Sequence, residues 1–211
     1  MFQAMLEAGA AIPRSLAIAF CAVLLGLIVG PAIALLRFYR VPVFGRAGQI
    51  VITIAKGFPV VLVYFMLFII LAPRAAIPVE IIILLGIAIG TSIEISEAVR
   101  GAMESVEKSQ FDAALSIGHT GPAILFRVVL PQIVPVCVPV MGNVVIHAIK
   151  ALPVGSMIGL HDILSVALSA AVINYRYLES YIAAALIFWA IFIIVEKSFS
   201  LVEKKFSHVK V

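Results

Sequence analysis

The stretch Glu97-Ala-Val-Arg-Gly-Ala-Met-Glu-Ser-Val-Glu-Lys-Ser-Gln-Phe-Asp-Ala-Ala-Leu-Ser-Ile-Gly118, followed by Arg127-Val-Val-Leu-Pro131, decides how the chain is organised. It is a charged island between two long apolar runs, and its charges exclude it from the interior of a lipid bilayer. Within it, Phe111, Ala114, Leu115 and Gly118 recur at helical spacing, which predicts a short helix with a small apolar ridge, while Asp112 is placed to meet a basic group. Ala113 and Ala114 permit close approach of a neighbour. Gly118 has no Cβ and tolerates positive φ, so the helix is expected to end there and the chain to turn.

Outward from this island the chain is built for lipid. Of its 211 residues 64% are hydrophobic and 12% charged, and the mean hydropathy is +1.20, whereas a soluble domain has about a quarter of its residues charged. Five apolar segments stand out: Ile12 to Leu36, Ile50 to Leu71, Pro78 to Val99, Ile124 to Ile149 and Tyr181 to Leu201. Each is close to the roughly 20 residues that an α-helix needs to cross about 30 Å of hydrocarbon. The expected fold is an all-α membrane protein of five transmembrane helices, one domain over residues 1–211, with the polar loop at about 101–123. Lys150 to Ser180 is read as a polar connection. The first segment has no basic stretch or cleavage pattern before it and is expected to remain as an uncleaved anchor.

Charge sets the orientation. With the amino terminus outside, Arg37, Arg40, Arg46, Arg100, Lys108, Arg127, Lys197, Lys204, Lys205 and Lys210 fall on the cytoplasmic side, and the external loops hold little beyond Arg74 and Arg176. This obeys the positive-inside rule and places the carboxyl terminus in the cytoplasm. The formal charge of +4 is scattered rather than gathered with aromatics, so nucleic acid is not an expected partner; membrane lipid is. Cys21 and Cys137 lie in apolar runs with no ligand spacing around them, and no metal site is expected. No Gly-x-x-x-x-Gly-Lys-Ser/Thr phosphate loop occurs, so no nucleotide cradle of that kind is expected here, nor catalysis by this chain.

The polar loop resembles the cytoplasmic coupling loop of ATP-binding-cassette (ABC) importer permeases of type I, whose pattern is Glu-Ala-Ala, a glycine, then Leu-Pro. Asp112-Ala113-Ala114, Gly118 and Leu130-Pro131 occupy those positions, with Asp112 one methylene shorter than the usual glutamate. Glu97-Ala-Val-Arg100-Gly101, Pro139-Val-Met-Gly142-Asn143 and Lys56-Gly57-Phe58-Pro59 are similar to further motifs of the polar amino-acid permeases, in the same order. The resemblance implies an inner-membrane subunit that pairs with a second copy or a related permease chain. It also implies an extracytoplasmic solute-binding protein and a cytoplasmic ABC ATPase dimer that carries ATP and Mg. Phe111, Asp112, Ala113, Ala114, Leu115 and Gly118 would then form the ATPase-coupling element. On the residues of this loop alone, an amphipathic helix resting on the membrane is the alternative.

Ionisable groups at membrane depth are costly and mark function by default. Glu94 and Glu97 are three residues apart on one helix face, and Asn143, His147 and Lys150 fall at i, i+4 and i+7 as one polar stripe. In the resembled family the substrate is contacted from the helix bearing Gly-Asn, which makes Asn143, His147, Lys150 and Glu94 the candidate substrate residues: Lys150 for an α-carboxylate, Glu94 for an α-ammonium, Asn143 as donor and acceptor. Other readings stay open. Glu94 or Glu97 pairs with a basic neighbour, Lys150 snorkels to the surface, or His147 is a satisfied bundle residue. Pro131, Pro135 and Pro139 are read either as a hinge or as a static bend. An ion-coupled secondary transporter, with Glu94 and Glu97 as cation sites, is the rival function.

Overall fold

The computed structural model describes residues 2–75 and 77–206; Lys210 and the end of the basic tail lie outside the described residues. Every regular element among them is helical: α1 Phe2–Ala10, α2 Ile12–Phe38, α3 Phe44–Gly57, α4 Val60–Ala75, α5 Val79–Glu104, α6 Lys108–Ser116, α7 Gly121–Ile124, α8 Leu130–Gly155, α9 Ile163–Asn174 and α10 Tyr177–Phe206. Four stretches are long and apolar enough to cross a membrane, namely Met5–Phe38, Val79–Glu104, Gly121–Ile158 and Tyr177–Lys205. A fifth crossing is available from α3 and α4 taken together, although they meet at 109°.

That bend divides the apolar segment Ile50 to Leu71, read from the sequence as one crossing, between two helices. Proline forces the residue before it out of the helical region, and Phe58 is extended at φ −92, ψ 130 ahead of Pro59. The helix stops at Gly57 and restarts at Val60 in a new direction. The α3 arm buries Gly45 and Ile52 and half-buries Gly48 and Ala55, a helical face laid along the end of α2.

Helix α5 occupies the middle of the bundle, with α2 as its most extensive neighbour and α8 and α4 on other sides. In lipid no hydrophobic force draws helices together, and small residues that let backbones approach take over that role. Gly26-Leu-Ile-Val-Gly30 on α2 supplies them. A Cβ built at Gly26 would lie 2.5 Å from Thr91 Oγ1, and one at Gly30 would lie 2.8 Å from Ile95 Cβ. Thr91 Oγ1 also donates a hydrogen bond across to the Ala22 carbonyl at 3.3 Å.

Helix α8 carries the prolines. A π-helical turn, Leu125–Val129, precedes it and Pro131 sits in its first turn, where a missing N–H is least costly. The helix then runs unbroken through Pro135 and Pro139. The Lys150 to Ser180 stretch is not a polar connection: α8 continues to Gly155, and α9 follows as a separate apolar helix. Asp162 caps α9 reciprocally with Ser165, at 2.9 Å for Ser165 N to Asp162 Oδ1 and 2.8 Å for Asp162 N to Ser165 Oγ.

If α2 and α5 depend on this close approach, Gly30→Val forces Ile95 aside and costs about 1–3 kcal/mol. Thermal unfolding of the purified protein followed by circular dichroism should show a lowered midpoint, and an unchanged midpoint would rule the contact out as a determinant.

Candidate functional site

Helices α5 and α8 run antiparallel, and two open hollows lie along their facing sides. One, of about 740 Å3, is lined by Lys56, Phe58, Gly90, Glu94, Glu97, Val140, Asn143 and His147 among others. The second, of about 300 Å3, lies further along the same seam and is lined by Tyr64, Gly90, Thr91, Glu94, His147, Lys150, Ala151 and Val154 among others. Gly90, Glu94 and His147 belong to both. His147 Nδ1 lies 3.1 Å from Glu94 Oε2, so a carboxylate and imidazole meet where the two hollows adjoin. Asn143 faces the larger hollow alone and Lys150 the smaller alone. The i, i+4, i+7 stripe therefore follows the length of the passage, one helical turn per polar group.

Lys150 is exposed, with its ammonium 5.3 Å from the centre of the Phe192 ring of α10. A cation over an aromatic face keeps its charge while gaining a weak attraction, which holds Lys150 beside the hollow. Tyr64 is fully buried and its hydroxyl donates to the Ala151 carbonyl at 3.4 Å, fixing α4 against the wall formed by α8.

Glu97 also lines the larger hollow, yet its carboxylate is taken up. Oε1 accepts from Arg37 Nη1 at 2.5 Å and Oε2 from Lys56 at 2.7 Å, with Arg100 Nε 3.6 Å from Oε1. Arg37 is buried and also donates from Nε to Gln49 Oε1 at 3.0 Å. The pairing reading of Glu97 is the one the geometry supports, with two partners beyond the nearby Arg100. Arg37 and Lys56 were visible in the sequence only as topology or motif residues. Lys56, inside the apolar segment Ile50 to Leu71, was the signal that an acidic partner was needed; Arg37, in the last turn of α2, carried none.

The polar loop folds as α6 and stands at the end of the bundle where α2 and α5 terminate. Its carboxyl end is a Schellman motif: Gly118 N donates to Leu115 O at 2.9 Å, His119 N donates to Ala114 O at 3.0 Å, and Gly118 has φ +86. Phe111 and Ala114 turn inward. Ala114 is buried with Met103 and Val129, and the Phe111 ring lies 6.1 Å from that of Phe38. Asp112, Ala113, Leu115 and Gly118 face outward, joined by Ile117 at 75% exposure, which the helical-ridge pattern had left out. The ridge is thus divided between a side that seats the helix and a side left open.

The molecule is a helical bundle of membrane-spanning length, with polar hollows along two of its helices and a seated polar helix at one end. Its chain matches the family model described as the inner membrane component of binding-protein-dependent transport systems over residues 22–208. It is 29% identical to the probable amino-acid ABC transporter permease YckA of Bacillus subtilis, over 92% of this chain and 86% of that one. It is 28% identical to the L-cystine transport system permease TcyL of the same organism, over 92% and 84%. A crystal structure of an amino acid ABC transporter with histidines superposes at a TM-score of 0.88 with 26% identity, covering 97% of this chain and 96% of that one. The chain belongs to the family of binding-protein-dependent inner-membrane components, and it is a multi-pass permease subunit of an ABC transporter rather than an enzyme. In general terms, membership brings an ATPase and a substrate-binding protein as partners. The ion-coupled alternative is left without support.

Gly90 offers a test of the passage, since it lines both hollows and a Cβ there would meet nothing within 4 Å. Gly90→Phe should leave the unfolding free energy within about 1 kcal/mol of wild type while reducing transport at least tenfold. Full transport by a folded Gly90→Phe variant would show that solute travels elsewhere.

Proposed function

We propose that this subunit carries polar amino acids or related zwitterions inward, and that Glu94, Asn143, His147 and Lys150 contact them. The observation that carries this reading is the placement of one carboxylate, one imidazole, one amide and one ammonium along a single passage between α5 and α8. Opposite charges separated along a track match the two ends of a zwitterion. Lys150 attracts the α-carboxylate, Asn143 supplies a donor and an acceptor, and the α-ammonium takes over the contact that His147 makes with Glu94. The names of the relatives, amino-acid and L-cystine permeases, agree with that chemistry.

The working assembly in this reading is two permease chains, identical or related, with two cytoplasmic ATPase subunits that bind ATP and Mg and an external solute-binding protein. The amino terminus is outside and the α6 end faces the cytoplasm. Arg37, Arg100, Lys108 and Arg127 lie at that end. The contacts of α10 with Gly142 through Phe199 and with Lys150 through Phe192 bring Lys204 and Lys205 toward it as well. The open side of α6, Asp112, Ala113, Leu115 and Gly118, meets the ATPase, while Phe111 and Ala114 fasten it to the permease core. Closure of the ATPase dimer is then transmitted as a rigid-body movement of the spans. ATP supplies energy on the partner; this chain orients the solute and converts the movement into alternating access.

Proteoliposomes containing the permease, ATPase and binding protein test this directly. Uptake of the binding protein's amino acid should require ATP, and Lys150→Ala should raise the KM for transport about tenfold, as expected for loss of one charge-assisted contact, with basal ATP hydrolysis little changed. Asp112→Lys should abolish ATP-driven uptake in a folded permease. Uptake driven by an ion gradient without the ATPase, or normal uptake by Asp112→Lys, would contradict the proposal.

A further inference from the structure

The turn joining α2 to α3 contains two non-glycine residues with positive φ, Arg40 at 49° and Val43 at 68°. A β-branched residue such as Val43 avoids that region unless its surroundings impose it. The turn is drawn tight by Val41 N donating to Leu36 O at 3.0 Å and Gly45 N to Val41 O at 2.8 Å, and a Cβ at Gly45 would lie 2.8 Å from Leu36 O. The result is a hollow of about 500 Å3 at the α6 end of the bundle, lined by Arg37, Arg40, Arg46 and Gln49 together with the loop backbone, and by no acidic side chain.

The charges in this hollow are unequal in their commitments. Arg37 is engaged by Glu97 and Gln49. The Arg40 and Arg46 side chains are exposed and have no hydrogen-bond or ion-pair partner among the described residues. Arg46 also stands in the first turn of α3, which has no acidic residue there and no side-chain cap. That is the positive end of the helix dipole, where a cation is disfavoured and an anion favoured. The Arg40 and Arg46 side chains and the start of α3 thus border one space whose described lining holds no acidic side chain. A role in setting topology needs only charge; it explains neither the shaped hollow nor the imposed backbone.

The rim identifies the source of the anion. Leu36, Tyr39 and Val43 are exposed at 37%, 49% and 73% around the turn, apolar and aromatic surface of the kind found where hydrocarbon gives way to headgroups. We propose that this turn is a binding site for the phosphate group of an anionic lipid, held by Arg40 and Arg46 with the amino end of α3, while Tyr39 and Val43 rest in the acyl region. Free phosphate shares the chemistry but has no use for the apolar rim. Bidentate guanidinium–phosphate pairing accounts for arginine rather than lysine at both positions.

The experiment titrates the full-length permease, purified in detergent, with fluorescent phosphatidylglycerol. Binding should saturate, and should weaken about fivefold for Arg40→Gln or Arg46→Gln and about thirtyfold for both, at the usual contribution of a basic residue near an anionic surface. The same charge loss at Lys204→Gln and Lys205→Gln should change it less than twofold, and phosphatidylcholine should not bind. Equal weakening in the control would reduce the effect to diffuse attraction. Displacement of the lipid by millimolar inorganic phosphate would assign the site to a free anion instead. Normal lipid binding by the arginine double variant, with loss of the co-purifying ATPase, would make the turn a protein contact. Because that variant can fail to fold, a second measurement uses Tyr39→Trp with Trp189→Phe: brominated phosphatidylglycerol should quench its fluorescence and brominated phosphatidylcholine should not. Equal quenching by both lipids would overturn the proposal.

Discussion

The carboxylate of Glu97, held by Arg37, Lys56 and Arg100, is the interaction on which the rest of the structure turns. It joins three helices at one depth: α2 through Arg37, the end of α3 through Lys56, and α5 through Glu97 itself. Arg37 is buried there, and a buried charge without a partner is penalised, so α2 and α5 are drawn together at this point. The meeting point lies beside the Phe58–Pro59 break, where proline ends α3 and α4 departs. The direction of α4 then sets Tyr64 against Ala151, closing the outer wall of the smaller hollow. The position of the passage is thus a consequence of an ion cluster at its edge, reinforced by the close glycine contacts of α2 with α5.

The two carboxylates on the same face of α5 have different surroundings for that reason. Glu97 is saturated by cations contributed from other helices. Glu94, one turn away, meets among the described residues only the imidazole of His147 and remains partly open to both hollows. A group already held by several cations serves architecture; a group with one exchangeable partner is available to a passing ligand. The same division appears at α6, where Phe111 and Ala114 are spent on seating and Leu115, Ile117 and Asp112 are left free.

Much of this was legible in the sequence because lipid imposes a simple rule on length. The spans containing α2, α5, α8 and α10 were visible as runs of about 20 apolar residues, and Gly118 announced its left-handed turn by being glycine at the end of a short helical pattern. Apolar runs report composition and not direction, so the 109° break between α3 and α4 was hidden inside one segment, although Phe58–Pro59 carried the information. Helix α9 was missed because its 12 residues fall short of a span and follow a stretch rich in punctuation; the capping signal Asp162 to Ser165 was there to be read. The stripe of Asn143, His147 and Lys150 was predictable because it is local periodicity. The partners of Glu97 were not, since Arg37 and Lys56 lie 60 and 41 residues away in sequence and only the fold brings them together.

The central claim is that solute crosses between α5 and α8, and cysteine accessibility tests it most directly. In a permease with Cys21 and Cys137 replaced by serine, cysteines are placed singly at Val140 in the larger hollow and Ala151 in the smaller, and the assembled transporter is treated with a membrane-impermeant thiol reagent. The account predicts that both positions label from aqueous solution and that the transported amino acid, delivered by its binding protein, slows labelling at each. Labelling at neither position, or labelling that the amino acid leaves unchanged at both, would contradict it.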